Sequence, residues 1–367
     1  MLTRGRMVLV ISLFAISVLA AQPPQESKGS PGNSDLHALA ALEPVDTHTH
    51  VAKDDPSFYA MLDRLHMHIL DILLVDDQEA YRKDMKTQRQ DAEAVIHASH
   101  GHAALCTGFD PFQFDKADFA ASAIRGLNQD FANGAIAVKI WKNIGMELKD
   151  KNGHYVLPDN PKFEPIYQDI QKHNRTLIAH LAEPDEAWQA PNPNGLDYSY
   201  YKENPFWYMY NKPDAPKKRQ ILDARDHLLA ENPKLRVVGA HLGSMEDDLD
   251  GLGQRLDRYP NFAVDTAARV IHLVVMPSDR VRNFILKYQD RITYGTDLGF
   301  SKDASATDVI KEWEDQYTED WRYFSTRDKF EYEGHQTQGL GLPPAVLRKL
   351  YHENAVHWFP GIIALQQ

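Results

Sequence analysis

The sequence predicts an α/β fold, a (β/α)8 TIM barrel, on three observations. Eight short runs rich in Val, Ile, Leu and Ala recur along the chain, most of them followed by a helical stretch. The runs do not alternate strictly between apolar and polar, which is how strands buried on both faces of a parallel sheet read. No Gly-rich phosphate turn follows an early run, as a doubly wound open sheet would usually offer.

The runs, in order, are PVDTHTH, HILDILLVDD, HAALCTGFDP, AIAVKIW, RTLIAHLA, LRVVGAHLG, NFAVDTA and RITYGTD. They end near Asp46, Val75, Thr107, Trp141, His180, His241, Asp265 and Asp297. Between them lie amphipathic stretches such as QEAYRKDMKTQRQDAEAVIHASH, FEPIYQDIQKHN and DRVRNFILKYQ. That beat of strand and helix is the signature of a barrel. One interval is twice as long as the rest. It holds an insertion after the fifth strand, residues 184–217, dense in proline and aromatics. A second long stretch, 301–342, reads as polar and aromatic and outside the barrel repeat. PPAVLRKLYHENAVHWF closes the chain as a C-terminal helix.

The N-terminus reads differently. Arg4 and Arg6 precede an apolar run, Met7–Ala20, that ends in small residues. This is the pattern of a secretory signal over 1–21, cleaved near Ala20 or Ala21. The run falls short of the ~20 apolar residues a membrane span needs. Residues 22–40 are expected to be a flexible leader and 41–367 the barrel. The mature protein is therefore expected to be exported, periplasmic or secreted, with no membrane association after cleavage. At 367 residues, 43% hydrophobic, the chain has ample length for one large core. Its formal charge of −12 argues against a nucleic-acid partner, which needs a basic face. The single cysteine, Cys106, excludes an intrachain disulfide and reads as a small buried apolar residue.

A barrel places its chemistry at the C-terminal ends of several strands. His48 and His50 end the first strand, His180 the fifth, His241 the sixth and Asp297 the eighth. Residues two apart on a strand share a face, so His48 and His50 can both point into the barrel mouth. By the same parity Gly239 and Gly295 lie beneath His241 and Asp297, leaving room for the polar group and a ligand. Three imidazoles and a carboxylate suit zinc with an exchangeable water. An HxH pair alone is a weak signal. The same pair combined with His, His and Asp at three further strand ends is strong.

On DTHTH, AVKIWKNIG, LIAHLAEP, VVGAHLGS, ITYGTD and the terminal YHENA, the chain resembles the amidohydrolase superfamily. Within it, the chain is most similar to the branch related to aminocarboxymuconate-semialdehyde decarboxylase. The resemblance covers nearly everything after Ala41. It implies His48, His50, His180 and Asp297 as ligands of one divalent metal, most often zinc, and His241 as the catalytic histidine. In binuclear relatives a carboxylated lysine on strand four bridges two metals. Lys139 occupies that strand here, so a second metal requires its carboxylation. The branch also implies a homo-oligomer.

The activity this implies is metal-dependent hydrolysis. Water activated by the metal attacks a lactone, ester or amide carbonyl, and Asp297 relays the proton. Non-oxidative decarboxylation of an aromatic or unsaturated carboxylate is the alternative. An exported barrel that binds a metal or ligand without turnover is a third reading. The partner is a small-molecule substrate, with Lys139, Trp141, Lys142 and Arg269 as candidate contacts. Arg269 pairs with a substrate carboxylate or sits in a surface ion pair. Asp265 is placed to orient a neighbour.

Overall fold

A computed structural model of the chain describes residues 31–76 and 85–363. The expected signal, the leader up to residue 30 and part of the helix expected before His100 lie outside them. All eight expected runs contain a strand. They are β1 (Val45–Val51), β2 (His68–Ile72), β3 (Ala103–Gly108), β4 (Ala137–Ile140), β5 (Thr176–Ala179), β6 (Arg236–Gly239), β7 (Phe262–Asp265) and β8 (Ile292–Thr293). A ninth, β9 (Leu298–Phe300), follows at once. The nine form one parallel sheet in the order β8-β7-β6-β5-β4-β3-β2-β1-β9. β8 pairs with β7 and β9 with β1, so one chain segment closes the barrel from both sides. Four residues between them, 294–297, carry the seam. Thr47 N donates to Tyr294 O at 2.9 Å, and Asp297 N to His48 O at 2.8 Å.

The strands separate two cores. The inner one holds Val45, Leu70, Ile72, Cys106, Ala137, Ile178, Val238 and Ala263, with Trp358, Phe359 and Ile362 among its members. The last three come from the chain's end, where helical residues 344–358 plug the barrel floor. The outer core lies between sheet and helices and takes Val138, Ile140, Leu177 and Val237. Alternation assigns each strand residue to one side. Ala137 faces inward and Val138 outward, so Lys139 faces inward.

β1 breaks this rule, and the break positions the chemistry. Val45 belongs to the inner core and Val51 to the outer. Strict alternation from Val45 would turn His48 and His50 outward. The register with β2 shifts between Asp46 and Thr49. A bulge of this kind adds one residue and reverses the parity. His48 and His50 thereby face the barrel interior.

Three expectations are corrected. Residues Pro31–Ala40, within the expected leader, form a helix, with Leu36 and Leu39 buried. The stretch after residue 301, expected outside the repeat, contains the helix Ala306–Ser325, which completes the repeat after β9. Its buried Val309, Trp313, Tyr317, Trp321 and Phe324 recur at helical spacing. A hairpin, Lys329–Tyr332 with His335–Gln338, follows. Finally, the glycines beneath the site leave no vacant space. A Cβ on Gly239 would lie 2.8 Å from Phe262, and one on Gly295 would lie 3.0 Å from the His48 Cβ. They permit close packing of neighbours. Among the described residues no helix is long and apolar enough to cross a membrane.

Helix Ala306–Ser325 also carries a buried acid. Asp320 accepts from Tyr294 Oη and Tyr332 Oη, each at 2.7 Å, and from Gln316 at 3.1 Å. Burial raises its carboxyl from 3.8 to about 7, against the pull of those hydrogen bonds. Between those values the folded state holds a proton that the unfolded state lacks. This contribution to stability is complete below about pH 4 and is lost as pH rises to about 7. Asp320→Asn is therefore expected to gain stability relative to wild type across that window, measured as urea midpoints against pH. A difference that stays constant with pH would mean Asp320 is ionised throughout.

Candidate functional site

The bulged end of β1 delivers two imidazoles with fixed ring orientations. His48 Nδ1 lies 2.8 Å from Asp265 Oδ2, and His50 Nδ1 lies 2.8 Å from Ile72 O. A carbonyl only accepts, so Nδ1 of His50 carries hydrogen and Nε2 presents its lone pair. The Asp265 carboxylate imposes the same on His48. Although burial raises it, the adjacent His48 and His241 hold that carboxyl below its ordinary value. Both Nε2 atoms meet one oxygen. Asp297 Oδ1 is 3.3 Å from His48 Nε2 and 3.2 Å from His50 Nε2.

Asp297 reaches this position from a left-handed backbone, with φ +71°. The conformation is held by its neighbours. Asp46, fully buried, accepts from Thr296 N at 3.1 Å, Thr296 Oγ1 at 2.6 Å and Tyr317 Oη at 3.2 Å. It also accepts from His48 N at 3.1 Å, so one carboxyl fixes both sides of the seam.

The end of β6 is more strained still. His241, Leu242, Gly243 and Ser244 all have positive φ, from +53° to +62°. His241 N donates to Asp265 Oδ1 at 2.7 Å, and its Nδ1 donates to Ala267 O at 2.8 Å. Arg225 caps Gly243 O at 2.6 Å, and Ser244 Oγ donates to Ala182 O at 2.7 Å. With Nδ1–H committed, His241 Nε2 is an acceptor. Burial also holds this imidazole well below its ordinary pKa. The His241 ring lies 4.8 Å from that of His48 and 4.2 Å from that of His180.

The donor set fits a divalent cation. Lone pairs of His50 and His48 converge on a carboxylate oxygen, an arrangement that a positive charge stabilises; Lys139 Nζ stands against His48 Nε2 here, and a bound cation would take its place. His48, His50 and Asp297 offer ligand atoms within 4.8 Å of one another. His180 is not part of that trio. It stands beside His241, and its buried Nε2 has no hydrogen-bond partner. Lys139 Nζ lies 2.9 Å from His48 Nε2 and donates to it. Its partner is thus an imidazole, and burial, the largest effect, lowers its pKa.

The remaining candidates are engaged with the protein itself. Lys142 is buried and ion-paired to Glu183, and it donates to Tyr200 Oη at 2.7 Å. Trp141, Tyr200 and Trp207 surround its ammonium at 4.5–5.1 Å from their ring centres. Glu183 immediately precedes the insertion, and Tyr200 and Trp207 lie within it. This cage therefore latches the insertion to β4. Trp207 stacks edgewise on Trp141 at 5.1 Å, and Trp141 on His180 at 6.4 Å, which roofs the histidines. Arg269 is not in a surface pair. It is buried, 3.4 Å from Glu246 Oε2 and 2.8 Å from Ala268 O. Burial opposes its charge, but Glu246, Glu183 and Asp197 hold it above its ordinary value. Nearby, His272 bridges Asp197 of the insertion and Asp247. Glu246 and His272 escaped sequence reasoning because neither ends a strand.

Exposure then shows the way in. His48 and His241 are 1% and 3% exposed, whereas the side chains of His50 and Asp297 are 20% and 32% exposed. The site opens towards β1 and β9.

The amidohydrolase family model matches residues 45–361. Among solved structures, a 2,6-dihydroxybenzoate decarboxylase complexed with 2,6-dihydroxybenzoate is similar at 14% identity and TM-score 0.52, covering 86% of this chain and 98% of that one. A 2,6-dihydroxybenzoate decarboxylase from Rhizobium is similar at 14% identity and TM-score 0.51, over 86% and 98%. An amidohydrolase II is similar at 14% identity and TM-score 0.50, over 86% and 99%. At these identities the likeness is one of fold. No curated protein matches the chain.

The latch makes a quantitative prediction. Glu183→Ala leaves the Lys142 ammonium buried without its partner, and is expected to cost about 3–5 kcal/mol. Lys142→Met combined with Glu183→Leu removes both charges and should cost much less. Urea unfolding of Lys142→Met, Glu183→Leu and their double checks this. Additive losses would show that the pair is not coupled.

Proposed function

The chain belongs to the amidohydrolase family, and on that premise we propose that it hydrolyses an uncharged carbonyl substrate, a lactone, ester or amide. One observation carries the reading. Two cations near the centre already have carboxylate partners within the protein: Lys142 with Glu183 and Arg269 with Glu246. A substrate carboxylate would find neither of them available. A neutral carbonyl needs neither of them.

His48, His50 and Asp297 would hold the cation, with His180 the expected fourth ligand. When bound, a divalent ion, zinc by ligand type, supplies Lewis acidity towards the carbonyl and a more acidic water. The chain's own groups then have defined tasks. The Asp297 side chain is 32% exposed, which favours its carboxylate form. It can accept a proton from water and return it to the leaving oxygen or nitrogen. His241 Nε2 is an acceptor, so it orients water by taking a hydrogen bond. Polarising the carbonyl oxygen would require a donor there, which the bond to Ala267 O denies it. In balance, the water oxygen joins the carbonyl carbon, the acyl bond breaks, and the proton leaves with the departing group. Trp141 and Trp207 exclude bulk water from above.

Decarboxylation, the activity for which two similar structures are named, is the competing outcome. Zinc-loaded protein should release acid from a panel of lactones, esters and amides. CO2 from aromatic or unsaturated carboxylates, without acid release from the first panel, would sink the hydrolase reading. His241→Ala is expected to lose at least ~100-fold in turnover while retaining metal, by elemental analysis. Asp265→Asn, which frees the His48 ring, is expected to weaken metal affinity by ~10–100-fold. Unchanged affinity would mean that Asp265 does not support the metal ligand. About one equivalent of metal is expected per chain, and two would indicate a carboxylated Lys139.

A further inference from the structure

A cavity of about 710 Å³ begins at His50, on the side where the site is open. That size is typical of small-molecule pockets. Val51, Ile72 and Leu74 line it from the strand ends, with Phe300 and Val309 opposite. Its charged lining consists of Asp71, Asp91, Glu312 and Lys302, three carboxylates against one ammonium. That ammonium is already matched, because Lys302 Nζ lies 2.7 Å from Asp91 Oδ1. The Gln88 side chain is committed too, to Leu74 N and Leu74 O at 2.9 and 2.5 Å.

We propose that this cavity binds the apolar, uncharged alkyl or aryl portion of the substrate, and that its acidic lining rejects a carboxylate there. The proposal rests on the reading of His50 and Asp297 as the reacting end. It adds which substrates that end serves. The physical reason is twofold. Apolar walls gain from displacing water at about 25 cal/mol per Å² of buried apolar surface. A carboxylate placed among them loses its hydration and meets the Asp71 and Glu312 carboxylates, while the one ammonium in the lining is paired to Asp91.

Two alcohols of equal length test it by calorimetry on the purified full chain. One is 4-phenylbutan-1-ol, and the other carries a carboxylate on the far end of the ring. The neutral alcohol is expected to bind at least tenfold more tightly at pH 7.5. Val309→Trp, which fills the cavity away from the histidines, should weaken its binding at least tenfold. Ala304→Phe at the partly exposed rim should do the same, and serves if the first variant fails to fold. Glu312→Lys should narrow the gap between the two alcohols. Equal affinities, or neutral binding unchanged in both filling variants, overturns the proposal. Binding is read without turnover, so the two readings fail separately. Binding as expected with no acid release sinks only the hydrolase reading. Acid release without cavity binding sinks only this one.

Discussion

The mouth of this barrel depends on one buried carboxylate. Asp265 ends β7 and is 1% exposed. Its Oδ2 takes the Nδ1 hydrogen of His48, while Oδ1 accepts from His241 N and from Ala267 N. Three strand ends are thereby referred to one pair of oxygens. The ring of His48 is turned so that Nε2 faces Asp297. The backbone at His241 is held where its own ring can bond Ala267 O. Losing the carboxylate would free two imidazoles at once, although Asp265 need not touch the metal or the substrate.

The same face stores strain. His241, Leu242, Ser244, Ala268 and Asp297 are all non-glycine residues with positive φ. Each such residue costs on the order of 1–3 kcal/mol unless its surroundings over-determine it. Here they do. Asp265, Arg225 and Ser244 hold the β6 turn, and Asp46 with Thr296 holds the seam. The gain is pre-organisation. The polar groups at the mouth are set in place by the fold itself, so little reorganisation would be left for chemistry there.

Much of this was legible in the sequence, and the limits have physical causes. Strands buried on both faces announce themselves through runs such as AVKI and RVVG, and strand-end polar residues mark the mouth. His48 and His50 do share a face, but they face inward only because of a bulge for which DTHTH carries no signal. The split of the eighth strand was invisible for a similar reason, since backbone dihedrals at Asp297 are set by partners on β1 and β7. Helix Ala306–Ser325 was hidden by its composition. Its acids and aromatics read as polar surface, although Trp313 and Tyr317 follow a helical period. The candidates least well read were Lys142 and Arg269. Their partners Glu183 and Glu246 lie in a loop and a turn with no periodicity, so nothing in the sequence could pair them.

The seam between β8 and β9 has a consequence in time. Asp297 meets His50 across 247 residues of chain, and the last barrel helix lies beyond it. During synthesis the two histidines exist long before the carboxylate that completes their cluster. A contact so distant in sequence forms late, after the intervening strands have taken their places. No chain shortened ahead of Asp297 can assemble the trio. Assembly of the trio is therefore coupled to synthesis through Asp297, and a product cut short before it would present the histidines without their carboxylate.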